Sequence, residues 1–455
     1  MRERLKKALE KARGYVEIRV QDSTNSSISY RNGEVDKIAA STDIGGCVRA
    51  VVDGGGWGVV NFNSLDDLEK RVEEALVSSA AIEPEEPISL AKVPAIDMEI
   101  KADIKDDPRN HSIEEKHDLI KNYDQILKAS GKRLIDTSVT YGDSVSRVCF
   151  ANTEGTYFLR ERLDIVLIAR AMSREGDNVQ SSHDSWSSRE SYGDILDKAK
   201  SLAKVGKTAD ELLDADEVKA GKYTVVLDPK LAGVFIHEAF GHLSESDFIM
   251  DNPQAREMMT LGRRFGPPEL NVFEDGSVMP QLRGTIVVDD EGVVCKKNYL
   301  IKDGILVGRL HNRETAAKMG EEVTGNARAD GYSSSPIVRM TNTAIENGTV
   351  LFEEMISDIE LGVYCIDAYG GQTMMENFSF SAGYAYMIRN GKIAEMVRNV
   401  VLQGNLFKTL MDITDIGNDF IWAKGGGNCG KGGQSAKVSF GAPHIKIKDV
   451  IIGGK

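Results

Sequence analysis

Two histidines five positions apart place the strongest constraint on how this chain can fold. They are His237 and His242, and Glu238 lies between them. Two neutral imidazoles beside a carboxylate are what zinc-dependent hydrolysis needs, because the nitrogens bind the metal and the carboxylate can act as a base. In the common motif His-Glu-x-x-His, the histidines are four positions apart and share one helix face. A fifth position carries the second ring roughly 140° around a regular helix from the first. The rings can converge only if the backbone opens into an i→i+5 turn or the helix ends between them, and Gly241 permits either.

The flanking residues predict that a packed helix carries these histidines. Residues 222–227 are typical of a short buried strand, Asp228 suits a helix N-cap, and Pro229 suits the first helical position. Beyond the histidines, Glu245 and Asp247 are spaced to support them by hydrogen bonds from outside the ligand set. The alternative is a buried helix whose histidines only satisfy local hydrogen bonds. Short motifs match by chance, so the six residues alone leave both interpretations open.

A third metal ligand is predicted far downstream. A catalytic zinc ion has three protein ligands and an open fourth position. Cys429 lies between glycine-rich stretches, and the nearby Lys424 and Lys431 are expected to favour its thiolate form. The remaining cysteines have apolar, strand-like surroundings and are predicted to be small core residues: Cys47, Cys149, Cys295 and Cys365.

The same glycine-rich segment has a competing interpretation as a phosphate-binding loop. Residues 425–431 satisfy G-x-x-x-x-G-K. However, Gly432 stands where a magnesium-binding Ser or Thr is needed, and the residues that follow alternate like strands instead of opening a helix. We therefore reject nucleotide binding.

Taken together, these motifs resemble the TldD/PmbA family along nearly the whole chain. Further matching segments are residues 45–49, 152–155, 325–328 and 338–343. The chain resembles the TldD branch, which retains the metal motif, and not the PmbA or TldE branch, which lacks it. The resemblance implies a zinc metallopeptidase acting on unfolded or flexible peptides, as a homodimer or as a heterodimer with a motif-less PmbA/TldE-like relative. It also implies that His237, His242 and Cys429 hold the metal and that Glu238 is the base.

The charge and composition of the chain exclude some classes of binding partner. Lys and Arg number 56 against 70 Asp and Glu, giving a net charge of −14. An acidic surface repels nucleic acid and anionic membrane, so neither is an expected partner. There is no apolar run of about 18 residues, which argues against a membrane span. The charged first segment does not suit a secretory signal, and five cysteines, an odd number, do not suggest a disulfide framework, so we expect a cytoplasmic protein.

Local patterns predict an α+β protein of two domains. Residues 1–215 are expected to form a mixed α/β amino-terminal domain, in which Asn32-Gly33 marks a hairpin and Ser112 with Glu115 a capping box. Residues 216–455 are expected to form a strand-rich, curved or barrel-like antiparallel domain that carries the metal helix. Turn dipeptides punctuate its short β-branched runs, for example Asp303-Gly304.

The leading mechanism is peptide-bond hydrolysis, in which Glu238 activates a zinc-bound water as the nucleophile. His311 and Arg328 are candidate donors to the developing oxyanion, although each also suits a structural role. Residues 244–268 suit either a flap or a packed surface loop. Residues 370–372 and 376–378 suit either the lining of a peptide cleft or simply a strand and its turn. Two alternatives remain: a zinc amidase or deformylase for small substrates, and a non-catalytic peptide-binding or assembly subunit with a structural metal. Structural sites normally close with four protein ligands, and only three are apparent here.

Overall fold

The computed structural model describes residues 1–453, so the last two residues of the predicted 216–455 domain lie outside it. The α-helices in the described range are α1 (Arg2–Leu9), α2 (Leu68–Ala80), α3 (Ile113–Ala129), α4 (Ala199–Asp214), α5 (Pro229–Ile236), α6 (Ser246–Met250), α7 (Pro253–Met258), α8 (Arg313–Met319), α9 (Phe352–Ser357) and α10 (Leu406–Met411). None of the helices in this range is long and apolar enough to cross a membrane.

The first sheet is built mainly from long antiparallel strands. Its order is β3-β2-β1-β5-β6-β4, with β7 also paired to β6, and only β4 runs parallel to its neighbour. Its strands are β1 (Tyr15–Arg31), β2 (Glu34–Val51), β3 (Gly58–Phe62), β4 (Asp97–Ile100), β5 (Leu134–Asn152), β6 (Tyr157–Glu175) and β7 (Asn178–Ser188). The hairpin predicted at Asn32-Gly33 is confirmed, since Arg31 pairs with Glu34 across it.

Helices cover one face of this sheet because their apolar stripes need a partner. Ser112 and Glu115 form the predicted capping box at the start of α3. Helices α3 and α4 pack on β5, β6 and β7 around a core that includes Tyr123, Tyr141 and Leu202. A second core lies under α1 and α2. The opposite face is mixed: Val148, Phe150 and Phe158 pack with Val288 in an apolar cluster, whereas other positions carry polar residues such as Ser146 and Arg162.

A closed barrel of five strands organises the carboxy-terminal half. Pairing runs β16-β9-β24-β19-β17 and returns from β17 to β16. The strands of this barrel and its extensions are β8 (Asp216–Glu217), β9 (Gly221–Leu227), β16 (Leu361–Met374), β17 (Asn377–Arg389), β18 (Lys392–Arg398), β19 (Val401–Asn405), β20 (Ile413–Ile416) and β24 (Ile445–Gly453). The predicted barrel-like sheet is confirmed, but it is not purely antiparallel. Strands β9 and β16 pair in parallel, which their long connection through several helices allows.

A third sheet lies beside the barrel, in the order β12-β11-β10-β15-β23-β21, with β22 paired to β23. Its strands are β10 (Val272–Asp275), β11 (Lys297–Lys302), β12 (Ile305–Leu306), β15 (Asn342–Ile345), β21 (Ile421–Trp422), β22 (Gly427–Lys431) and β23 (Gln434–Ala442), and a separate pair is formed by β13 (Ala327–Arg328) and β14 (Ile337–Val338). Helix α5 packs between barrel strand β16 and strand β23 of this sheet. Its apolar residues, including Leu231, Phe235 and Ile236, belong to the largest core of the molecule. The predicted domain boundary between residues 215 and 216 stays a prediction.

Candidate metal centre

The two histidines are presented by a helix whose geometry changes between them. Asp228 caps α5, and its Oδ1 accepts a hydrogen bond from the Leu231 amide at 2.9 Å. From His237 to Gly241 the backbone forms a π-helical turn, closed by the His242 amide donating to the His237 carbonyl. The predicted i→i+5 opening is therefore confirmed, and it brings the two ring centroids to 5.5 Å. Gly241 also leaves room for the buried thioether of Met340, which would have to shift to accept a Cβ at this position.

Cys429 reaches this turn on a hairpin from the other end of the chain. Strands β22 and β23 pair antiparallel with Cys429 opposite Ala436, and β23 runs parallel to β15 in the third sheet. The guanidinium of Arg339, itself fully buried, donates to the carbonyl oxygens of Cys429 and Gln434. The Cys429 sulfur lies 3.2 Å from Nε2 of His242. Long-range pairing therefore sets the position of this thiol.

His237, His242 and Cys429 have the geometry and chemistry of a zinc site. One candidate ligand atom from each lies within 4.8 Å of the other two. His237 is 2% exposed, and its Nδ1 has no hydrogen-bond partner among the described residues. A buried imidazole nitrogen without a hydrogen-bond partner destabilises the fold, and a bound cation would supply the missing partner. Two imidazoles and a thiol form a three-ligand set that zinc accepts with a fourth position open. The residues present therefore fit a zinc ion.

Glu245 supports this cluster, while Asp247 does so only indirectly. The carboxylate of Glu245 is buried, and its Oε2 lies 3.0 Å from Nδ1 of His242. Lys431 approaches Glu245 at 3.1 Å and Asp247 at 2.6 Å. The carboxylate of Asp247 makes no contact with either histidine and instead anchors Lys431 and the Val338 amide. Lys431, expected to favour the Cys429 thiolate, thus serves as counter-ion to two acids.

Glu238 lies where a base for this site would be needed. Its Oε2 is 3.7 Å from Nε2 of His242, and burial raises the pKa of its carboxyl above the ordinary range. It lines an open cleft of 460 Å³. The other residues of this cleft are His242, Leu243, Glu245, Phe248, Gly371, Gln372, Thr373, Met375, Gly430 and Lys431. The site therefore combines a metal-binding cluster, a carboxylate and room for a substrate.

Protonation differs between the two histidines. Burial lowers the pKa of His237, and the charges of His242 and Arg339 lower it further, so the ring is held in the neutral form that binds metals. Burial also lowers the pKa of His242, but hydrogen bonds to Cys429 and Glu245 outweigh this and raise it to about 10. Metal binding at His242 therefore competes with a proton at neutral pH.

Several other predicted site residues lie elsewhere or take other roles. His311 is buried against Ser246 and Glu321, and Arg328 donates to the Met340 carbonyl, so neither candidate oxyanion donor lines the cleft. Of the predicted cleft segments, Gly371 and Gln372 line it, whereas Phe378 packs against Phe235 in the core.

Residues 244–268 are largely packed. Helices α6 and α7 lie in this segment, and Met258 and Met259 are buried, as the packed-loop alternative expects. Phe248 is the residue of this segment's helices that reaches the cleft.

Nothing in the sequence indicates a role for Arg339 or a pairing of Glu245 with Lys431. Arg339 belongs to the segment 338–343 that carries part of the family resemblance, but nothing in its spacing indicates contact with a cysteine 90 positions away. Buried arginines that bind backbone carbonyls leave no periodic pattern. The pairing of β15 with β23 brings the cysteine hairpin close to Arg339, which lies just before β15 in the chain.

Comparisons with known proteins show the family to which this chain is similar. Family models described as PmbA/TldA metallopeptidase domain 1, central domain and C-terminal domain match residues 16–79, 106–215 and 220–454. A metalloprotease of Synechocystis sp. is 42% identical over 441 residues, covering 97% of this chain and 95% of the relative. A zinc metalloprotease TldD homolog of Saccharolobus solfataricus is 29% identical and covers 99% of both chains. The solved structure of TldE from Thermococcus kodakarensis superposes over 100% of both chains with a TM-score of 0.78 at 18% identity, a likeness of fold.

Proposed function

This chain belongs to the PmbA/TldD family of metallopeptidases, and we propose that it is a zinc-dependent metallopeptidase that hydrolyses unfolded or flexible peptides. The observation that carries the proposal is the convergence of His237, His242 and Cys429 beside Glu238 on an open cleft. A buried three-ligand cluster next to a substrate-sized opening is typical of a catalytic zinc site and not of a structural one, which closes with four ligands.

The roles of the residues follow from their positions. Zinc bound by the three ligands would supply Lewis acidity, which lowers the pKa of water and polarises a carbonyl oxygen. Glu238 would accept the proton of the attacking water at its carboxylate and return it to the leaving amine, and its raised pKa suits both steps. Glu245 would hold the His242 ring by accepting from Nδ1, leaving Nε2 free for the metal.

An exposed strand edge beside the cleft suits an extended peptide. Strand β16 pairs with β9 only at residues 362–365, and beyond them it pairs with β17 alone among the strands of the described range. Gly371, Gln372 and Thr373 lie in this one-sided part and line the cleft. An extended substrate could add to the free edge through its backbone, which would place few demands on its side chains. Folded proteins rarely offer a free extended segment, so the arrangement favours flexible substrates.

The test measures the zinc content and the peptidase activity of the same protein preparation. Zinc is measured by mass spectrometry on protein purified without chelators, and cleavage of an unfolded polypeptide is followed in parallel. Glu238→Gln should keep its zinc and lose at least about 100-fold in rate, because general-base catalysis contributes about 10²–10⁴-fold. Glu353→Gln, an exposed carboxylate on α9, is the matched control and should leave both unchanged.

Three outcomes would contradict the proposal. An intact protein that takes up no zinc would end it. Loss of zinc in Glu238→Gln would make Glu238 a ligand or a structural residue. Turnover of small N-acyl compounds without any peptide cleavage would favour the amidase.

We also propose that the chain acts as a homodimer or with a motif-less PmbA/TldE-like relative. The support is its family membership and its likeness of fold to a TldE structure. Light scattering on the protein alone, and mixed with such a relative, would show which assembly forms. A monomer under both conditions would contradict this part of the proposal.

A further inference from the structure

A second cavity lies away from the metal cleft, between the first sheet and the cysteine-bearing hairpin. It encloses 240 Å³. On the sheet side, alternate residues of three neighbouring strands share one face, as the pairing of Ser23 with Ser146 and of Ser146 with Arg162 shows. On the other side, β23 contributes Ser435, Ala436 and Lys437.

The charge around this cavity is strongly unbalanced, although the protein as a whole is acidic. Five cationic residues line it, Arg19, Arg160, Arg162, Arg328 and Lys437, against the two acids Asp290 and Asp330. Arg189 and Arg283 add charge behind the wall, and Asp164 is the acid they share. The lining alone therefore carries an excess of three positive charges.

The acids that are present are already engaged. Asp290 pairs with Arg160 at 2.8 Å. Asp164 pairs with Lys437 at 2.8 Å and with Arg283 at 3.1 Å. Within residues 1–453, no carboxylate lies within ion-pair distance of the lining residues Arg19, Arg162 and Arg328. These three guanidiniums therefore have only carbonyl oxygens as partners.

Such a cluster is costly unless something neutralises it. The Nε atoms of Arg19 and Arg162 are buried and have no hydrogen-bond partner in the described chain. Burial lowers the pKa of Arg162, and burial together with the charges of Arg339 and Arg160 lowers that of Arg328 to about 10 despite the opposing pull of Asp290. Removing a charge from water without a counter-ion is strongly unfavourable. An anion in the cavity would offset that cost.

We propose that this cavity binds the phosphate group of a phosphorylated small molecule. A doubly charged oxyanion suits an excess of three positive charges better than a single carboxylate does. Guanidiniums bind the oxygens of phosphate in bidentate fashion, and the serine hydroxyls and amides of the wall supply neutral hydrogen bonds. The cavity has room beyond one phosphate group for a small organic remainder.

The site is separate from the metal centre but adjoins it. Lys437 lies opposite Asn428 on the hairpin, next to the pair formed by Cys429 and Ala436. Since side chains alternate along a strand, Lys437 and Cys429 point to opposite faces. A ligand in the cavity would therefore contact β23, the strand paired with the one that presents Cys429, without entering the cleft.

Thermal unfolding of the full-length, zinc-supplied protein tests the proposal, with inorganic phosphate as the probe at constant ionic strength. Phosphate should raise the unfolding midpoint in a saturable manner, and acetate should not. Arg162→Gln should unfold at a higher midpoint than the wild type without phosphate, because an unpaired buried charge is gone, and should lose the response to phosphate. Arg147→Gln is the matched control: Arg147 lies on β5, is exposed and pairs with Asp22, so the response should persist.

The opposing outcomes are equally clear. An equal response to acetate would overturn the phosphate class and favour a peptide carboxylate. A response to phosphate that survives in Arg162→Gln would place phosphate at the metal or on the surface. If Arg162→Gln does not fold, Lys437→Gln decides instead, since this side chain is partly exposed: loss of the response supports the cavity, and an unchanged response overturns it.

Discussion

The metal cluster is assembled from two segments that reach it in different ways. The helical segment, residues 229–245, carries His237, Glu238 and His242, and nearby residues determine its shape. The cysteine hairpin, residues 427–438, carries Cys429 and is placed by β15 and by the buried Arg339. The shape of the helical segment is set by residues close in sequence, whereas the position of the hairpin depends on contacts with residues far away in the chain. Changes in the helical segment should therefore act through backbone shape, and changes in the hairpin through the completeness of the ligand set.

The largest effect should come from removing the hairpin's ligand. We expect Cys429→Ala to weaken zinc binding more than about 100-fold, since even residues that only support ligands contribute about 10–100-fold. Competition with a chromophoric chelator measures the affinity. Cys149→Ala, on β5 and remote from the site, is the control. An unchanged affinity in Cys429→Ala would leave the helical segment as the whole binding site.

A smaller effect is expected at the contact between the two segments. Glu245 accepts from His242 and faces Lys431 of the hairpin. Glu245→Gln keeps an acceptor but loses the charge, so zinc affinity should fall about 10–100-fold. Asp247→Asn, which weakens the anchoring of Lys431 and of the Val338 amide but touches neither histidine, should cost less. Equal losses in both variants would show that the anchoring of Lys431, and not support of the histidine, is what matters.

Substituting one glycine in each segment by alanine tests how much room each backbone leaves for a side chain. A Cβ on Gly241 would meet the Met340 sulfur at 2.2 Å, whereas one on Gly430 meets nothing within 4 Å. Gly241→Ala should lower the free energy of unfolding by about 1–3 kcal/mol, the usual cost of overpacking. Gly430→Ala should stay within about 0.5 kcal/mol of the wild type. Urea unfolding measures both, and equal stabilities would show that the turn accommodates a side chain.

The smallest effect concerns the cap of the helical segment. Burial raises the pKa of Asp228 to about 6. The folded protein thus binds this proton more tightly than the unfolded chain, whose aspartates have a pKa of about 3.9. Protonated Asp228 therefore stabilises the folded state fully below a pH of about 3.9. This stabilisation is lost as the pH rises through about 6.

Asp228→Asn keeps the cap acceptor and removes the charge. Because the side chain is only half-buried, the variant should gain about 1 kcal/mol at pH 8, and the gain should shrink towards pH 5. Urea unfolding at matched zinc content checks this. A variant less stable at pH 8 would mean that the carboxylate charge itself supports the start of the helix.

The same contrast between local and long-range contacts explains which features could be predicted from the sequence. Asp228, Pro229, Gly241 and the histidine spacing predict the cap, the helix and the π-helical turn, because each signal acts within a few residues. The hairpin at Asn32-Gly33 is equally local. The parallel pairing of β9 with β16 and the position of Arg339 depend on residues 90 or more positions apart, and no local pattern encodes them. Cys429 could be singled out by its glycine-rich surroundings, but its contact with His242 followed only from the family resemblance and from no local pattern.

The closed barrel also sets an order of events during synthesis. Strand β9, which leads into the metal helix, pairs in the barrel with β16 and with β24, which spans residues 445–453. The nascent chain therefore displays both histidines long before either neighbour, or Cys429, has been made. Contacts so distant in sequence form slowly, and partly made chains leave strand edges and apolar surface open. Zinc uptake should thus follow translation, and truncated chains should depend on chaperones or be degraded without ever becoming active.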